Sequence, residues 1–508
     1  MLLPVIVAFV GTPPTPLAKH PVAKPTAAQL AWMDLEVASM ITWNLQTICT
    51  HGSNNATAQP CQVGSAGFVP TRSAVAQWNP SALDTDAWAR ASAAFGAKYV
   101  ILVADHMTGF TLWDTKTHNY SIAHTQYRGG GGDVVREMIA SCARFGLRLG
   151  VFYSAHFNWF LGVNDFAVGH PPLGPRNYTQ AEYSAVAEAQ IAELLGIFGD
   201  DEPAFELWFD GGLDPKLDTG IMGAVRRSAS QSTLCHGCFN TSGGAVRWMG
   251  NEAGVQQLPS WGAVADDALW SLHGDPLGSR FNPPVCDTVL REHYWFYQPG
   301  TVATLKSTRQ LVDNYLTSVG RASNLILNIA PDDTGAIPPV DSARYSDLGD
   351  AIRCLFSKPV AQAAVRGGGA AGGAARMDPA TGVMEPPTTF AKPLPWGPTA
   401  NFSLVLQEDQ TSGQLIGNFS LECLGSADTT ALPTWTPCPM LSLGTTIPAP
   451  PVGPGVGHKR ILLLGGGELA SVSAIRLVVG SHFATGEQLP ALRGLTLYDW
   501  SGSVESCV

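Results

Sequence analysis

Asp210 closes the run Phe205-Glu206-Leu207-Trp208-Phe209-Asp210-Gly211-Gly212. A short apolar run that ends in an acid and then two glycines reads as a buried strand. Its last side chain is delivered into a pocket where the backbone turns away. A carboxylate at the edge of a core is costly unless it has a partner or a chemical job. Two earlier apolar runs end in polar groups in the same way. Residues 99–104 lead into Asp105-His106, and residues 147–152 into Tyr153, Ser154 and His156. Three such strand ends make a site. The chain also carries 14 Trp, a side chain as suited to the face of a sugar as to a core.

The elements that position these ends repeat one pattern three times. A helix starts near Asp84, carries Trp88 and Phe95 inward and stops at Gly96. A second starts at Asp133, places Val134, Val135, Met138, Ile139 and Cys142 on one stripe and stops at Gly146. A third opens on the capping-box pair Thr179 and Glu182 and stops at Gly199. N-cap residues, a 3.6-residue apolar period and a terminal glycine are the marks of such helices. A near-continuous apolar strand follows each one, as expected of a parallel sheet covered on both faces. Strands spaced by roughly 50 residues, with no Gly-rich phosphate loop after any of them, favour a (β/α)8 TIM-like barrel over a doubly wound sheet. In such a barrel the chemistry sits at the carboxyl ends of the strands.

Near residue 358 the composition shifts. The expected organisation is an N-terminal arm with a signal or propeptide over 1–26, and a catalytic (β/α)8-like barrel over 27–357. A Gly/Ala/Pro-rich linker over 358–397 and a C-terminal β-sandwich domain over 398–508 follow. The sandwich is read from alternating runs at 402–406, 461–464, 472–479 and 492–498. It could be a carbohydrate-binding module or a structural brace.

The 508 residues carry a formal net charge of −11 and no basic patch, which argues against a nucleic-acid partner. Residues 2–10 could be the h-region of a signal peptide, although Pro4 interrupts them and no basic residue precedes them. The rest of the chain has no run apolar enough to span a membrane. The ten cysteines include the close pairs Cys49/Cys61, Cys235/Cys238 and Cys423/Cys438. Glycosylation sequons start at Asn55, Asn119, Asn177, Asn240, Asn401 and Asn418. Together these favour an oxidising compartment: secreted, extracellular or vacuolar/lysosomal. Cys235-His-Gly-Cys238 lacks a second pair at ligand spacing, so a disulfide or plain thiols are expected there rather than zinc.

Several segments resemble the α-L-fucosidases of glycoside hydrolase family 29. Ala97-Lys-Tyr-Val-Ile-Leu-Val-Ala-Asp-His-Met-Thr-Gly-Phe-Thr-Leu-Trp113 is similar to the family's second strand. Phe145-Gly-Leu-Arg-Leu-Gly-Val-Phe-Tyr-Ser154 is similar to the next strand. Leu207-Trp-Phe-Asp-Gly-Gly212 resembles the strand bearing the nucleophile. Val246-Arg-Trp-Met-Gly-Asn-Glu-Ala-Gly254 resembles the acid/base segment of the plant and bacterial branch that prefers branched α1,3/4-linked fucose. Tyr294-Trp-Phe-Tyr297 and Asn324-Leu-Ile-Leu-Asn-Ile-Ala-Pro-Asp-Asp-Thr-Gly335 look like later barrel landmarks. The resemblance covers residues 28–355 and implies a retaining mechanism with two carboxyl groups about 5–5.5 Å apart. By position, Asp210 matches the nucleophile and Glu252 the acid/base. His106, Tyr153, Trp208 and Trp295 match sugar-binding residues, Trp295 beside the C6 methyl. No metal or organic cofactor is implied.

Two departures stand out. The family's Lys-His-His-Asp-Gly-Phe reads Asp105-His106-Met107-Thr108-Gly109-Phe110 here, and Thr42 stands where many members carry His. Losing a buried partner for a sugar hydroxyl would cost roughly 1–3 kcal/mol, about ten- to a hundred-fold in binding, unless Asn44, Asp105 or Thr108 compensates. The expected function is therefore a retaining exo-glycosidase hydrolysing terminal α-L-fucose of glycoproteins, oligosaccharides or cell-wall glycans. The rivals are a related glycosidase with another glycone such as α-L-galactose, and a fucose-binding protein that has lost turnover. Intact Asp210 and Glu252 argue against the second.

Overall fold

Eight apolar runs become the strands of one closed parallel barrel in the computed structural model: β1 Val37–Ile41, β2 Tyr99–Val103, β3 Arg148–Tyr153, β4 Glu206–Phe209, β5 Leu234–His236, β6 Ala245–Trp248, β7 Pro284–Thr288 and β8 Asn324–Ile329. Each pairs in parallel with the next in sequence, and β8 closes on β1. The structure describes residues 13–18, 21–49, 61–64, 67–70, 72–199, 204–213, 220–221, 223–225, 234–238, 243–265, 270–362, 375–385, 388–395, 401–426, 434–441, 453–465, 471–485, 488–499 and 507.

The helices fall where the caps and stripes placed them. Asp84 accepts from the Asp86 and Ala87 N–H groups at the start of α2 (Thr85–Ala94), which buries Trp88. Asp133 accepts from the Arg136 N–H at the start of α3 (Val134–Phe145), and Gly146 ends it in the left-handed region at φ 65. Of the predicted α3 stripe, Ile139 alone is only half-buried. Thr179 and Glu182 form the capping box of α4 (Gln180–Phe198). The first helix, α1 (Ala27–Met33), sits at the amino ends of the strands. Its Trp32 donates Nε1–H to Glu206 Oε2 at 2.8 Å, and its Gln29 donates to the Ala245 and Phe281 carbonyls. Inside the barrel Ile101, Phe152 and Trp208 share one apolar cluster with Ala38, Val285 and Ile326. Gly150 is required there, since a Cβ would stand 2.7 Å from the Glu206 carbonyl.

After α5 (Thr308–Ser318) and α6 (Pro339–Leu355) the chain builds two further sheets, which among the described residues have five and six strands, Thr15–Pro16 from ahead of the barrel being one of the five. All four runs expected as strands lie in them, and the long strand Ile416–Ser426, which was not expected, pairs with Ser471–His482. The linker expectation is corrected. Pro359–Gln362 and Ala375–Met377 pair with Ala491–Asp499, and Thr388–Pro395 pairs with Ser471–His482. Composition misled here because the partner strands supply the pairing that Gly-, Ala- and Pro-rich segments do not advertise. Thr15–Pro16, within the expected arm, pairs in parallel with Ser481 and His482. The Gly-rich run 366–373, the apolar run 2–10 and the side chain of Cys61 lie outside the described residues.

Alternation explains why strands Asn401–Glu408 and Arg460–Gly465 are buried almost throughout. Leu404, Leu406, Leu462 and Leu464 face the sandwich core. Val405, Ile461 and Leu463 belong to the cluster shared with the barrel helices. Ion pairs frame the junction: Lys459 to Glu36 at 2.7 Å and Arg493 to Asp34 at 2.7 Å. The disulfide Cys354–Cys507 ties α6 to the C-terminal end. Each buried Val, Ile or Leu at this face is worth about 1.5–3 kcal/mol. A chain ending at residue 357 should therefore expose this face and aggregate, measured by light scattering. A monodisperse, fully active truncation would show that the barrel does not need it.

Candidate active site

The carboxyl ends of the strands open into a cavity of about 830 Å3. Asp210 enters it directly after β4. The Asp210 N–H donates to the Tyr153 carbonyl at 3.2 Å, and the chain then turns away through Gly211 and Gly212, both at positive φ. Gly211 has no room for a Cβ, which would collide with the His156 ring. Burial, the largest influence, pushes the Asp210 carboxyl up to about 6. The charge of His156 pulls it down, Glu252 adds to the rise, and hydrogen bonds from the Gly211 N–H and the Ser154 hydroxyl again favour the ionised form. The polar end of β3 thus acts on Asp210 itself, and Asp165 holds His156 at 2.8 Å.

Glu252 reaches the same cavity from the turn after β6. Asn251 Oδ1 accepts from the Ala253 N–H at 3.0 Å, and the Gly254 N–H donates to the Asp287 carbonyl at 3.0 Å. Asn314 on α5 grips the turn through the Ala253 carbonyl at 2.8 Å. A Cβ on Gly254 would press on that amide at 2.9 Å and on Thr288, so the turn is held on two sides. The Glu252 carboxyl lies 2.6 Å from His293 Nε2 and is 38% exposed, which leaves it open to a ligand.

Of the residues expected at the site, Asp210, Glu252, His106, Trp208 and Trp295 line the cavity. His106 stacks on Phe152, with ring centroids 5.7 Å apart. Burial pushes its imidazole down to about 4, so it is neutral at working pH. Tyr153, Asn44 and Asp105 do not line the cavity. Side chains alternate along a strand, so Phe152 faces in while Tyr153 points out and donates to Gln190 of α4 at 2.7 Å. Asn44 spends its Oδ1 on the Gln46 N–H at 2.7 Å, shaping the next turn. Asp105 is fully buried behind the wall, where burial raises its carboxyl well above the ordinary carboxylate range. Thr42 and Met107, the departures from the family pattern, do line the cavity.

Sequence reasoning missed Asp287, His236, Trp248 and Trp270, all on the cavity wall. Asp287 follows the apolar Pro284-Val285-Cys286 of β7 and stands one residue before the strand's end. It accepts from Trp248 Nε1–H at 2.7 Å, and burial, the largest influence, pushes its carboxyl up to about 7. Cys235 and Cys238 form a disulfide, as do Cys423 and Cys438. Cys49 is disulfide-bonded as well, while Cys142 and Cys286 are free and buried. Among the described residues no group of His, Cys, Asp or Glu is placed to hold a metal ion, and no helix is long and apolar enough to cross a membrane.

The alpha-L-fucosidase family model matches residues 71–354, more than half of the chain and the part that builds β2 to α6. This chain belongs to the alpha-L-fucosidase family. It is 30% identical over 442 residues to a putative alpha-L-fucosidase 1 of Oryza sativa, covering 81% of this chain and 77% of the rice protein. It is 27% identical over 302 residues to alpha-L-fucosidase 1 of Arabidopsis thaliana, covering 56% and 55% of the two chains. The crystal structure of a putative alpha-L-fucosidase from Bacteroides thetaiotaomicron superposes with a TM-score of 0.73 at 26% identity, covering 94% of this chain and 99% of the other. The likeness to that structure extends over the sandwich as well as the barrel.

Proposed function

We propose that this family member releases terminal α-L-fucose from glycoproteins, oligosaccharides or cell-wall glycans by double displacement. Asp210 is the nucleophile and Glu252 the acid/base. The observation that carries the reading is the meeting of these two carboxyls, from separate strand ends, in one cavity of a fucosidase-family barrel. Asp210 attacks the anomeric carbon while Glu252 protonates the departing oxygen. Glu252 then takes a proton from water as it attacks the fucosyl ester. His293 fixes the aim of the Glu252 carboxyl. His106, neutral and beside Phe152, offers a hydrogen bond to a sugar hydroxyl, and Trp208 and Trp295 offer apolar faces.

Parallel assays on nitrophenyl α-L-fucoside and nitrophenyl α-L-galactoside test the glycone. Faster turnover of the fucoside is expected, and faster turnover of the galactoside would overturn the reading. The acid limb of kcat/KM should fall near pH 6, because below the Asp210 pKa of about 6 the nucleophile is protonated. A limb well below pH 5 would show that burial does not raise the Asp210 carboxyl in the free enzyme.

Trp270 supports a place for the leaving group. It lines the cavity yet is 63% exposed, and a Cβ on Gly250, two residues before Glu252, would meet its ring at 3.2 Å. Trp270→Ala should raise KM for a fucosylated oligosaccharide about three- to ten-fold and leave turnover of fucosyl fluoride, whose leaving group is too small to reach it, unchanged. Equal loss on both would rule out the leaving-group role. The disulfides, together with exposed sequons at Asn119, Asn177 and Asn418, support a secreted, extracellular or vacuolar/lysosomal setting.

A further inference from the structure

Three observations meet at His236, the last residue of β5. Its ring lies against the indole of Trp208, with centroids 4.0 Å apart and planes tilted by 30°, and the residue lines the cavity. It is only 6% exposed. Burial pushes the imidazole down to about 3, so it stays neutral and keeps one donor and one acceptor nitrogen. Nδ1 is covered by protein and has no hydrogen-bond partner, and the ring's polar neighbour is the backbone of Val246 on β6. That leaves Nε2 as the nitrogen able to meet a ligand in the cavity.

The ring is also held in place before any ligand arrives. The disulfide between Cys235 and Cys238 closes the turn around it, and both cysteines are buried. The Leu213 N–H donates to the Gly237 carbonyl at 2.8 Å, which ties this turn to the segment just after Asp210. Gly237 sits at φ 76, and a Cβ there would stand 2.7 Å from the Gly212 Cα, so the two turns touch backbone to backbone. A binding group fixed by packing and a covalent brace loses little freedom when it engages. In the same cavity Thr42 and Met107 stand where histidines would bind sugar hydroxyls in the family pattern.

We propose that His236 binds a hydroxyl of the glycone through Nε2, supplying from β5 a hydrogen bond that the family pattern draws from histidines elsewhere in the pocket. The proposal rests on the fucosidase reading. It makes the Cys235–Cys238 disulfide the positioning brace of a specificity residue, and it accounts for how a pocket with Thr42 and Met107 still holds a polar sugar.

The test compares kcat/KM of the wild type and of His236→Phe, which keeps an aromatic face on Trp208. The substrates are nitrophenyl α-L-fucoside and its 2-, 3- and 4-deoxy analogues. His236→Phe should lose ten- to a hundred-fold on the parent fucoside. On one deoxy analogue, the one lacking the hydroxyl that His236 binds, it should lose no more than about threefold. Intrinsic reactivity differences cancel because each substrate is compared between the two enzymes. Parallel losses on all four substrates would reduce His236 to packing, and no loss at all would remove it from the pocket; either result overturns the proposal. If His236→Phe does not fold, His236→Gln is run through the same series and judged by the same outcomes. A wild type that leaves the parent fucoside untouched would instead sink the fucosidase reading, so the two failures are distinct.

Discussion

Asp210→Asn should lower kcat/KM on nitrophenyl α-L-fucoside by roughly three to five orders of magnitude while leaving the fold intact. The amide keeps the shape of the carboxylate and loses its nucleophilicity. The stability consequence has a defined sign. Burial raises the folded-state pKa of Asp210 to about 6, above the ordinary 3.8. A raised carboxyl pKa means that the fold disfavours the ionised form. That destabilisation is absent below pH 3.8, grows between 3.8 and 6, and is fully present above 6. The variant should therefore melt at or above the wild-type Tm at pH 7.5, and the difference should shrink at pH 4. A variant that is inactive and also melts much lower would point to a structural role for the carboxylate, and a variant with near-normal kcat/KM would remove Asp210 from the chemistry.

Glu252→Ala should show a loss that depends on the leaving group. For a fucosylated oligosaccharide, whose departing alkoxide needs a proton, kcat/KM should fall by about 10²–10⁴. For fucosyl fluoride or a dinitrophenyl fucoside, which leave without protonation, the first step should be nearly preserved. Breakdown of the fucosyl ester should then become limiting, since no base activates the water, and a burst of released leaving group should appear. The Glu252 side chain is partly exposed, and its turn is held by the Asn251 and Asn314 side chains and the Asp287 carbonyl rather than by the carboxyl. Alanine should for that reason leave Tm within about 2 °C. Uniform loss across leaving groups would argue for a binding role and transfer the acid/base assignment to another carboxyl, with Asp287, which also lines the cavity, the candidate.

What could be read from residues alone follows a physical line. Helix caps, apolar stripes and terminal glycines are local, so α2, α3 and α4 were legible to within a residue or so, and with them the barrel. Asp210 was legible because an acid ending an apolar strand is locally improbable. Asp287 follows the apolar start of β7 one residue before the strand's end, a weaker form of the same signal. Which way a strand-end side chain points was harder. Phe152 and Tyr153 differ by one position, and the pleat sends one into the cavity and the other to Gln190. Asp105 and Asn44 were misplaced for related reasons, since each turns its side chain to the wall or to its own backbone. The strands between 359 and 395 were illegible because their pairing comes from residues a hundred positions later. His236 was visible only as the middle of a Cys-x-x-Cys pair; its place beside Trp208 depends on barrel closure, which no local pattern encodes.

The central claim is that Asp210 attacks the anomeric carbon. Asp210→Gly with added azide tests it most directly, using an activated α-L-fucoside. Azide would enter the space left by the carboxylate and attack from the same face. Turnover should return with azide concentration, and the product should be β-L-fucosyl azide, inverted at the anomeric centre. Full activity of Asp210→Gly without azide, or an azide product of retained α configuration, would contradict the assignment.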